Sequence, residues 1–365
     1  MDNNTEIKVS VIMPIYNAYK FLPSALDSVL KQTLREIEII CIDDGSTDKS
    51  LEILKEYQKK DDRIRIVTET NAGPAHARNK GIGRARGEYV AFLDADDFFA
   101  TKLLQTLYDV AKRDDLDIAI ADYDVFYNHK EKYEKAPENE HGDIYEDGKV
   151  TSKSEHPNEI FLSTTGSAWN KLFRRSFIVE KNLQFLPDVK MFEDEYFVVC
   201  ALSLAERVGK ISRVLLHHRV HSSQARVRAF RKYYAQVPLV YGKIREFLRA
   251  HGMLAPLNTA FLNFSASSCY KIYNSLGKDA KEDFWNMLHS EHSETLGWRN
   301  YKKEDFENPE VREFVACVEL YGHKEYKKAR RIPKFETLRR LLKEKNKREK
   351  IKAFFKGMFK KNKDK

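Results

Sequence analysis

Residues 88–100 read EYVAFLDADDFFA. A strand-like apolar run, Tyr89 to Leu93, ends abruptly in Asp94, Asp96 and Asp97. Three carboxylates where a buried strand leaves the core repel one another and resist desolvation. Two readings relieve the repulsion. A helix N-terminus favours acids, which would put Asp97 near the start of a following helix. A hard divalent cation, Mn²⁺ or Mg²⁺, would turn the repulsion into attraction.

The neighbouring segments set this strand in a pattern. IKVSVIMPI (7–15) is a continuous β-branched run, as in a strand buried on both faces. FLPSALDSVLKQ (21–32) has helical spacing, with Leu22, Ala25, Leu26, Val29 and Leu30 on one face. IEIICIDD (37–44) is a second strand ending in acids, followed by a turn, a Ser/Thr cap and an amphipathic helix in GSTDKSLEILKEYQKK (45–60). RIRIV (63–67) is a third strand, GPAHARNKGIGRAR (73–86) a helix, 101–113 another helix, and LDIAIADYDVFY (116–127) a further strand. Alternating strands and helices predict an α/β fold, a mostly parallel sheet with helices on both faces. Ligands of such sheets bind beyond the carboxyl ends of the strands. Here those ends carry Pro14, Tyr16 and Asn17, then Asp43-Asp44, then Asp94–Asp97, which should share one crevice. For Asp44 a plainer reading is also open: Asp44-Gly45 turns the chain while Ser46 or Thr47 caps the helix.

Beyond residue 128 the pattern changes. Residues 129–158 are polar and irregular, an exposed excursion with short strands, and are followed by a helical segment at 191–208 and a strand at 210–223. From about 226 to 325 the chain reads as several helices. Hydrophobic residues make up 42% of the chain, enough for a sizeable core, and no run reaches the roughly 18–20 apolar residues that cross a bilayer. MDNNTEIKVS lacks a basic n-region and an apolar h-region, so no secretory signal is expected. Cys41, Cys200, Cys269 and Cys317 lie far apart and read as reduced core thiols, as in a cytoplasmic protein. Charge is uneven. Residues 327–365 hold 18 Lys/Arg against 4 Asp/Glu, and the remainder 46 against 51.

Taken together, VSVIMPIYN, IICIDDGSTDKS, NAGPAHARNKGI and YVAFLDADD, in this order, resemble the nucleotide-binding half of a family 2 glycosyltransferase of the GT-A, Rossmann-like fold. WNKLF (169–173) and FEDEYF (192–197) resemble its acceptor half. The resemblance covers residues 7 to about 225. It implies a domain at 1–225, with a nucleotide half at 7–128 and an acceptor half at 129–225. A helical region at 226–326 and a basic tail at 327–365 follow it. The implied activity is inverting transfer of a hexosyl or N-acetylhexosaminyl group from a nucleotide sugar, UDP above all, to a glycan or lipid-linked hydroxyl. By the same resemblance Pro14, Tyr16 and Asn17 line the base pocket and Asp44 accepts from a uracil-like N–H. Arg78 lies near the nucleotide, Asp94 contacts the ribose and Asp96 binds the metal. Asp194 is the general base and Glu193 orients a sugar. Phe192 departs from the pattern, standing where many relatives have glycine.

Each assignment has a plainer competitor. Glu193, Asp194 and Glu195 could simply complement a helix N-terminus. Trp169, Asn170 and Lys171 are expected to wall the acceptor site, but Trp169 could be a core aromatic. In LLHHRVHSS (215–223) alternation puts His217, Arg219 and His221 on one strand face. The resemblance makes His221 the candidate second metal ligand, although any of the three histidines could be a surface residue. In the tail, Ile332, Phe335, Leu338, Leu341 and Leu342, then Ile351, Phe354, Phe355, Met358 and Phe359, form apolar stripes among lysines. A basic amphipathic helix of this kind reads as a membrane-surface segment, placing the protein at the inner face of the cell membrane. A solvated tail is the alternative; no nucleic-acid motif occurs, so no nucleic-acid partner is expected. A non-catalytic nucleotide-sugar-binding protein of the same fold is the rival to an enzyme. The sequence does not fix an oligomeric state.

Overall fold

The computed structural model describes residues 6–136, 144–221, 232–301, 305–324 and 326. The basic tail at 327–365 and the stretch 226–231 lie outside the described residues. The chain divides into two compact units, Met1–Gln236 with Glu246–Leu257, and Val237–Arg245 with Asn258–Lys365.

The first unit is a mixed α/β structure. Its order is β1 (Val9–Ile15), α1 (Leu22–Leu30), β2 (Ile37–Asp43), α2 (Ser50–Gln58), β3 (Ile64–Thr68), α3 (Pro74–Ile82), β4 (Tyr89–Phe92) and β5 (Phe98–Phe99). It continues with α4 (Leu103–Arg113), β6 (Ile118–Tyr127), β7 (Lys132–Lys135), β8 (Val150–Thr151), β9 (Lys171–Arg174), α5 (Arg175–Glu180), α6 (Glu193–Leu204) and β10 (Val208–Val220). One sheet runs β3-β2-β1-β4-β9-β6-β10-β5, with β7 beside β6 and β8 beside β10.

The expected parallel order holds for β3, β2, β1 and β4, and β6 pairs in parallel with β10. The second half mixes directions: β9 is antiparallel to both β4 and β6, and β5 and β8 are antiparallel to β10. The first three strands are separated by helical crossovers, which force parallel pairing. Strand β9 follows the long irregular excursion and is free to enter reversed.

Strand β1 is central because it is buried on both faces; Val9, Val11, Ile12 and Met13 have no exposed surface. It pairs with β2 on one side and β4 on the other, with Ile15 opposite Asp43 and Ile12 opposite Phe92. The chain therefore leaves β1 in one direction and returns on its other side. That reversal opens a crevice where the three carboxyl ends lie side by side. Helix α1 inserts Leu22, Ala25, Leu26 and Val29 into the core under this sheet.

Two local expectations are corrected. Helix α2 starts at Ser50 with Lys49 as its cap residue and no side-chain cap from it, and the Ser50 N–H donates to Asp48 Oδ1 at 2.9 Å. Ser46 and Thr47 are instead engaged by Asn17 (below). Asp97 is not a helix-start acid, because the two-residue strand β5 follows it and α4 begins only at Leu103.

The second unit is helical, with helices Asn258–Ser275, Lys278–Met287 and Pro309–Leu320. Asn308 caps the last of these, accepting from Glu310 and Val311 N–H with Pro309 in the first turn. Its core is aromatic: Trp285, Trp298 and Phe284 are fully buried, and the Trp285 Nε1–H donates to the Tyr321 carbonyl at 2.8 Å. All four cysteines are free and buried. No helix among the described residues is long and apolar enough to cross a membrane.

Candidate active site

The loops after β1 and β2 are stitched together. Asn17, at φ 51°, accepts the Thr47 N–H on its Oδ1 at 2.8 Å, while its own N–H donates to Ser46 Oγ at 3.1 Å. Asn is among the few side chains that tolerate this left-handed conformation. Tyr16 beside it is 52% exposed, so its ring is open to a planar ligand. Asp44 is buried and looks away from solvent. Its two carboxylate oxygens accept the N–H groups of Ala72 and Gly73 at 2.7 and 2.9 Å, tying the glycine loop to the end of β2. Gly73 at φ 99° then opens α3, with Pro74 at its first position.

Helix α3 carries Arg78, the pivot of the site. Its guanidinium is buried and forked: Nη2 donates to Asp94 Oδ1 at 2.7 Å and Nη1 to Glu193 Oε1 at 2.8 Å. Its carbon lies 5.2 Å from the centre of the Phe185 ring. Burial disfavours this charge, but Asp94, Glu193 and Asp194 outweigh it and hold the pKa above the ordinary value. Burial in turn pushes the Glu193 carboxyl up, helped by Asp194 and opposed by Arg78.

Asp194 is the next residue on α6. Its Oδ1 accepts the Glu195 N–H at 2.9 Å, and its side chain is only partly buried. The acids Glu193, Asp194 and Glu195 all fall in the first turn, where the helix terminus favours negative charge. The cap residue Phe192 sits at φ 67°, ψ 15°, the left-handed region. That conformation is why a glycine suits this position: for a side chain it costs about 1–2 kcal/mol. Phe192→Gly should therefore unfold at higher urea than Phe192→Ala, by about 1 kcal/mol, although both lose the buried ring. Equal midpoints would mean that the backbone is not held there.

The acids after β4 are separated by their partners. Asp97 N–H donates to the Asp94 carbonyl at 3.0 Å, forming a tight turn. Asp97 itself is buried, accepting the Arg219 N–H at 2.8 Å and facing His218 Nδ1 at 3.0 Å. Burial lifts its pKa to about 6, against the pull of His218. Asp96 points the other way, with a third of its side chain exposed and Oδ2 at 3.0 Å from His221 Nε2. Strand β5 makes this meeting possible, because Phe98 pairs opposite His217 and lays the end of β10 along the acidic turn.

The strand-face expectation for the histidines agrees with the contacts. His217 faces Asp124 at 2.7 Å and the Phe98 ring, and His221 faces Asp96. His218, on the other face, stacks on Trp169 at 5.5 Å and 6°. Arg219 lies within the stretch that singles out His221, and alternation puts it on the same strand face, but the sequence gives it no role of its own. It donates to the Asp96 carbonyl, Asn128 and Ser24 while lying over the rings of Phe21, Phe98 and Phe126.

Trp169, Asn170 and Lys171 lie at the start of β9 and are all buried. Trp169 belongs to the main core cluster. Asn170 donates to the Ala121 carbonyl at 2.8 Å, and the Lys171 amine is spent on protein oxygens.

Metal binding can be judged from the donors present. Asp96 and His221 supply one oxygen and one nitrogen donor at the mouth of the crevice. Among the described residues no group of three or more His, Cys, Asp or Glu side chains is gathered as for a metal held by protein alone. Hard cations that share phosphate oxygens need only one or two protein ligands, and the Asp96 carboxylate is the oxygen donor such a cation prefers. The pair fits a cation whose shell a diphosphate completes.

This parallel sheet with a polar crevice at its reversal point, extended by an antiparallel second half, is the GT-A architecture. The glycosyl transferase family 2 model matches residues 10–180. The chain is 35% identical over 211 residues to EpsJ, an uncharacterised glycosyltransferase of Bacillus subtilis (strain 168), covering 58% of this chain and 60% of that protein. It is 31% identical over 249 residues to EpsH, a candidate glycosyltransferase of the same organism, covering 67% of this chain and 70% of that protein. Among solved structures, residues 1–349 of S. aureus TarS in complex with UDP-GlcNAc superpose with a TM-score of 0.62 at 21% identity, covering 84% of each chain. The chain belongs to glycosyl transferase family 2.

Proposed function

We propose that this chain is a glycosyltransferase that moves a hexosyl or N-acetylhexosaminyl group from a UDP-sugar to a hydroxyl of a glycan or lipid-linked acceptor, with inversion at the anomeric carbon. The observation that carries the reading is the buried fork of Arg78, which joins Asp94 on the strand-end side to Glu193 beside Asp194 on the helix side. One guanidinium thus joins the proposed donor end of the crevice to Glu193, the neighbour of the residue proposed as the base.

In this reading Pro14, Tyr16 and Asn17 cradle the base, with the Tyr16 ring stacked on it. Asp44 fixes the loop beneath the nucleotide and offers its remaining lone pairs to the base N–H. Asp94 accepts from the ribose, and Arg78 and Glu193 orient the donor sugar. Asp194 takes the proton of the acceptor hydroxyl as the new C–O bond forms at the anomeric carbon and the bond to the diphosphate breaks. Asp96 and His221 would hold Mn²⁺ or Mg²⁺, which when bound supplies charge to the leaving diphosphate. Trp169, Asn170 and Lys171 serve the acceptor side from beneath. The nucleotide half is 7–128 and the acceptor half 129–225, with the helical region 226–326 and the tail 327–365 as separate segments. The basic, aromatic composition of 327–365 supports an acceptor held at a membrane surface, and hence a peripheral location on its inner face.

The test is a panel of nucleotide sugars with Mn²⁺, scored by release of nucleoside diphosphate and by mass of the glycosylated product. TarS was crystallised with UDP-GlcNAc, which makes that donor the first to try. Turnover of one UDP-sugar is the expected result. Tight binding of a nucleotide sugar without turnover on any hydroxyl acceptor would favour the non-catalytic rival.

A further inference from the structure

Lysine is almost never fully buried unless its charge is matched, and an apolar residue would fill the same space more cheaply. Yet Lys171, at the start of β9, is 1% exposed. Its Nζ donates to the carbonyls of Thr165 at 2.7 Å and Ser167 at 2.8 Å, and to Asn170 Oδ1 at 2.9 Å. Those three bonds use all three N–H groups of an ammonium. Asn170 is in turn held to β6, donating its amide to the Ala121 carbonyl while its own carbonyl accepts the Ala121 N–H at 2.9 Å. The residue between the two bonded carbonyls is Gly166. A Cβ there would lie 2.6 Å from Glu195 Cγ, so the loop presses on the first turn of α6 as closely as glycine allows. Glu195 N–H is the group that holds Asp194 Oδ1.

We propose that Lys171 is a positioning residue, whose amine anchors the 165–167 loop to the sheet so that Gly166 bears on Glu195 and fixes the carboxylate of Asp194. The proposal rests on the reading of Asp194 as the base. Among the described residues the amine meets carbonyl oxygens of the loop and the Asn170 amide, with Ile120 paired opposite on β6. The charge that acts on it from α6 is Asp194 of the first turn. Burial draws the Lys171 pKa down to about 7, with Asp194 acting in the opposite sense. As pH rises through that value the amine loses its third N–H and one of the three bonds, so the loop loosens on the alkaline side.

Two variants approach the same contact from opposite sides. Lys171→Met keeps the length and removes the donors; Gly166→Ala leaves the amine intact and pushes the loop off Glu195. Both should lower kcat ten- to a hundred-fold, as expected for a displaced catalytic group, while the dissociation constant for UDP changes less than twofold. The wild type should lose kcat above about pH 7, and Lys171→Met should lack that fall. Hydrogen exchange at 163–167 and 193–196 should rise in Lys171→Met. Wild-type kcat in both variants, a loss that follows UDP affinity, or an unchanged pH limb would overturn the proposal. If the wild type turns over no sugar, the functional reading fails instead, and hydrogen exchange still decides whether Lys171 holds the loop against α6.

Discussion

Asp194→Asn is expected to lower transfer by about 10²–10⁴-fold, the usual contribution of a positioned general base, while fold and nucleotide affinity are kept. The amide is nearly isosteric, and its oxygen can still accept the Glu195 N–H that Asp194 Oδ1 accepts now. Asp194 has a second oxygen with no hydrogen-bond partner among the described residues, and in the proposed mechanism that oxygen takes the hydroxyl proton. The variant removes its basicity and little else. The check is kcat measured beside thermal stabilisation by UDP. Transfer at the wild-type rate would assign the proton to another group, and loss of UDP binding in parallel would mean that the substitution disturbed the site as a whole.

The second large effect is on stability. Arg78→Met should cost about 3–5 kcal/mol, because removing one member of a buried ion pair leaves the other charged and unpaired. Glu193 is the member left, 7% exposed with its oxygen at 2.8 Å from the missing guanidinium. Asp94 contributes less, since nearly a third of its side chain is solvated. The pH dependence follows from the sign of the Glu193 shift. Burial raises its folded pKa above the unfolded one, so the folded state binds the extra proton. Without Arg78 that shift is larger. The variant should then be steadiest at acid pH and lose stability as pH rises through the folded pKa of Glu193. Adding Glu193→Gln should recover much of the loss and flatten this dependence. Urea midpoints of the single and double variants across pH measure both effects. A cost below about 1 kcal/mol would show that the fork is solvated rather than buried.

The half of the fold built from local periodicity was legible in the sequence. Runs such as Val9–Ile15 and Ile37–Asp43 are apolar on both faces because both faces are covered, and the intervening stripes mark their helices. The reversed strand β9 was not legible. KLFR is four residues long, and its direction is set by partners on β4 and β6 that lie far away in the chain. The same limit governed the site. Asp94, Asp96 and Asp194 stand out because acids at a strand end or helix start are conspicuous. Arg219 is given no role by the sequence and Lys171 only a place in an expected acceptor wall; burial among rings and carbonyls is what shows their bonding. Asp97 belongs to the same class. It sits in the acidic run but turns inward, because the next two residues join the sheet beside β10. Phe192 is the reverse case, where a departure noticed in the sequence has a conformational meaning, φ 67°, that the sequence could not supply.

The most direct measurement is the thermal unfolding of wild type and Asp96→Asn with saturating UDP, in Mn²⁺ and in chelator. A ligand at a hundred times its dissociation constant stabilises the native state by about 2.7 kcal/mol. The account predicts a rise in Tm for the wild type that requires Mn²⁺ and is absent in Asp96→Asn. No rise with UDP, or the same Mn²⁺-dependent rise in both proteins, would contradict it.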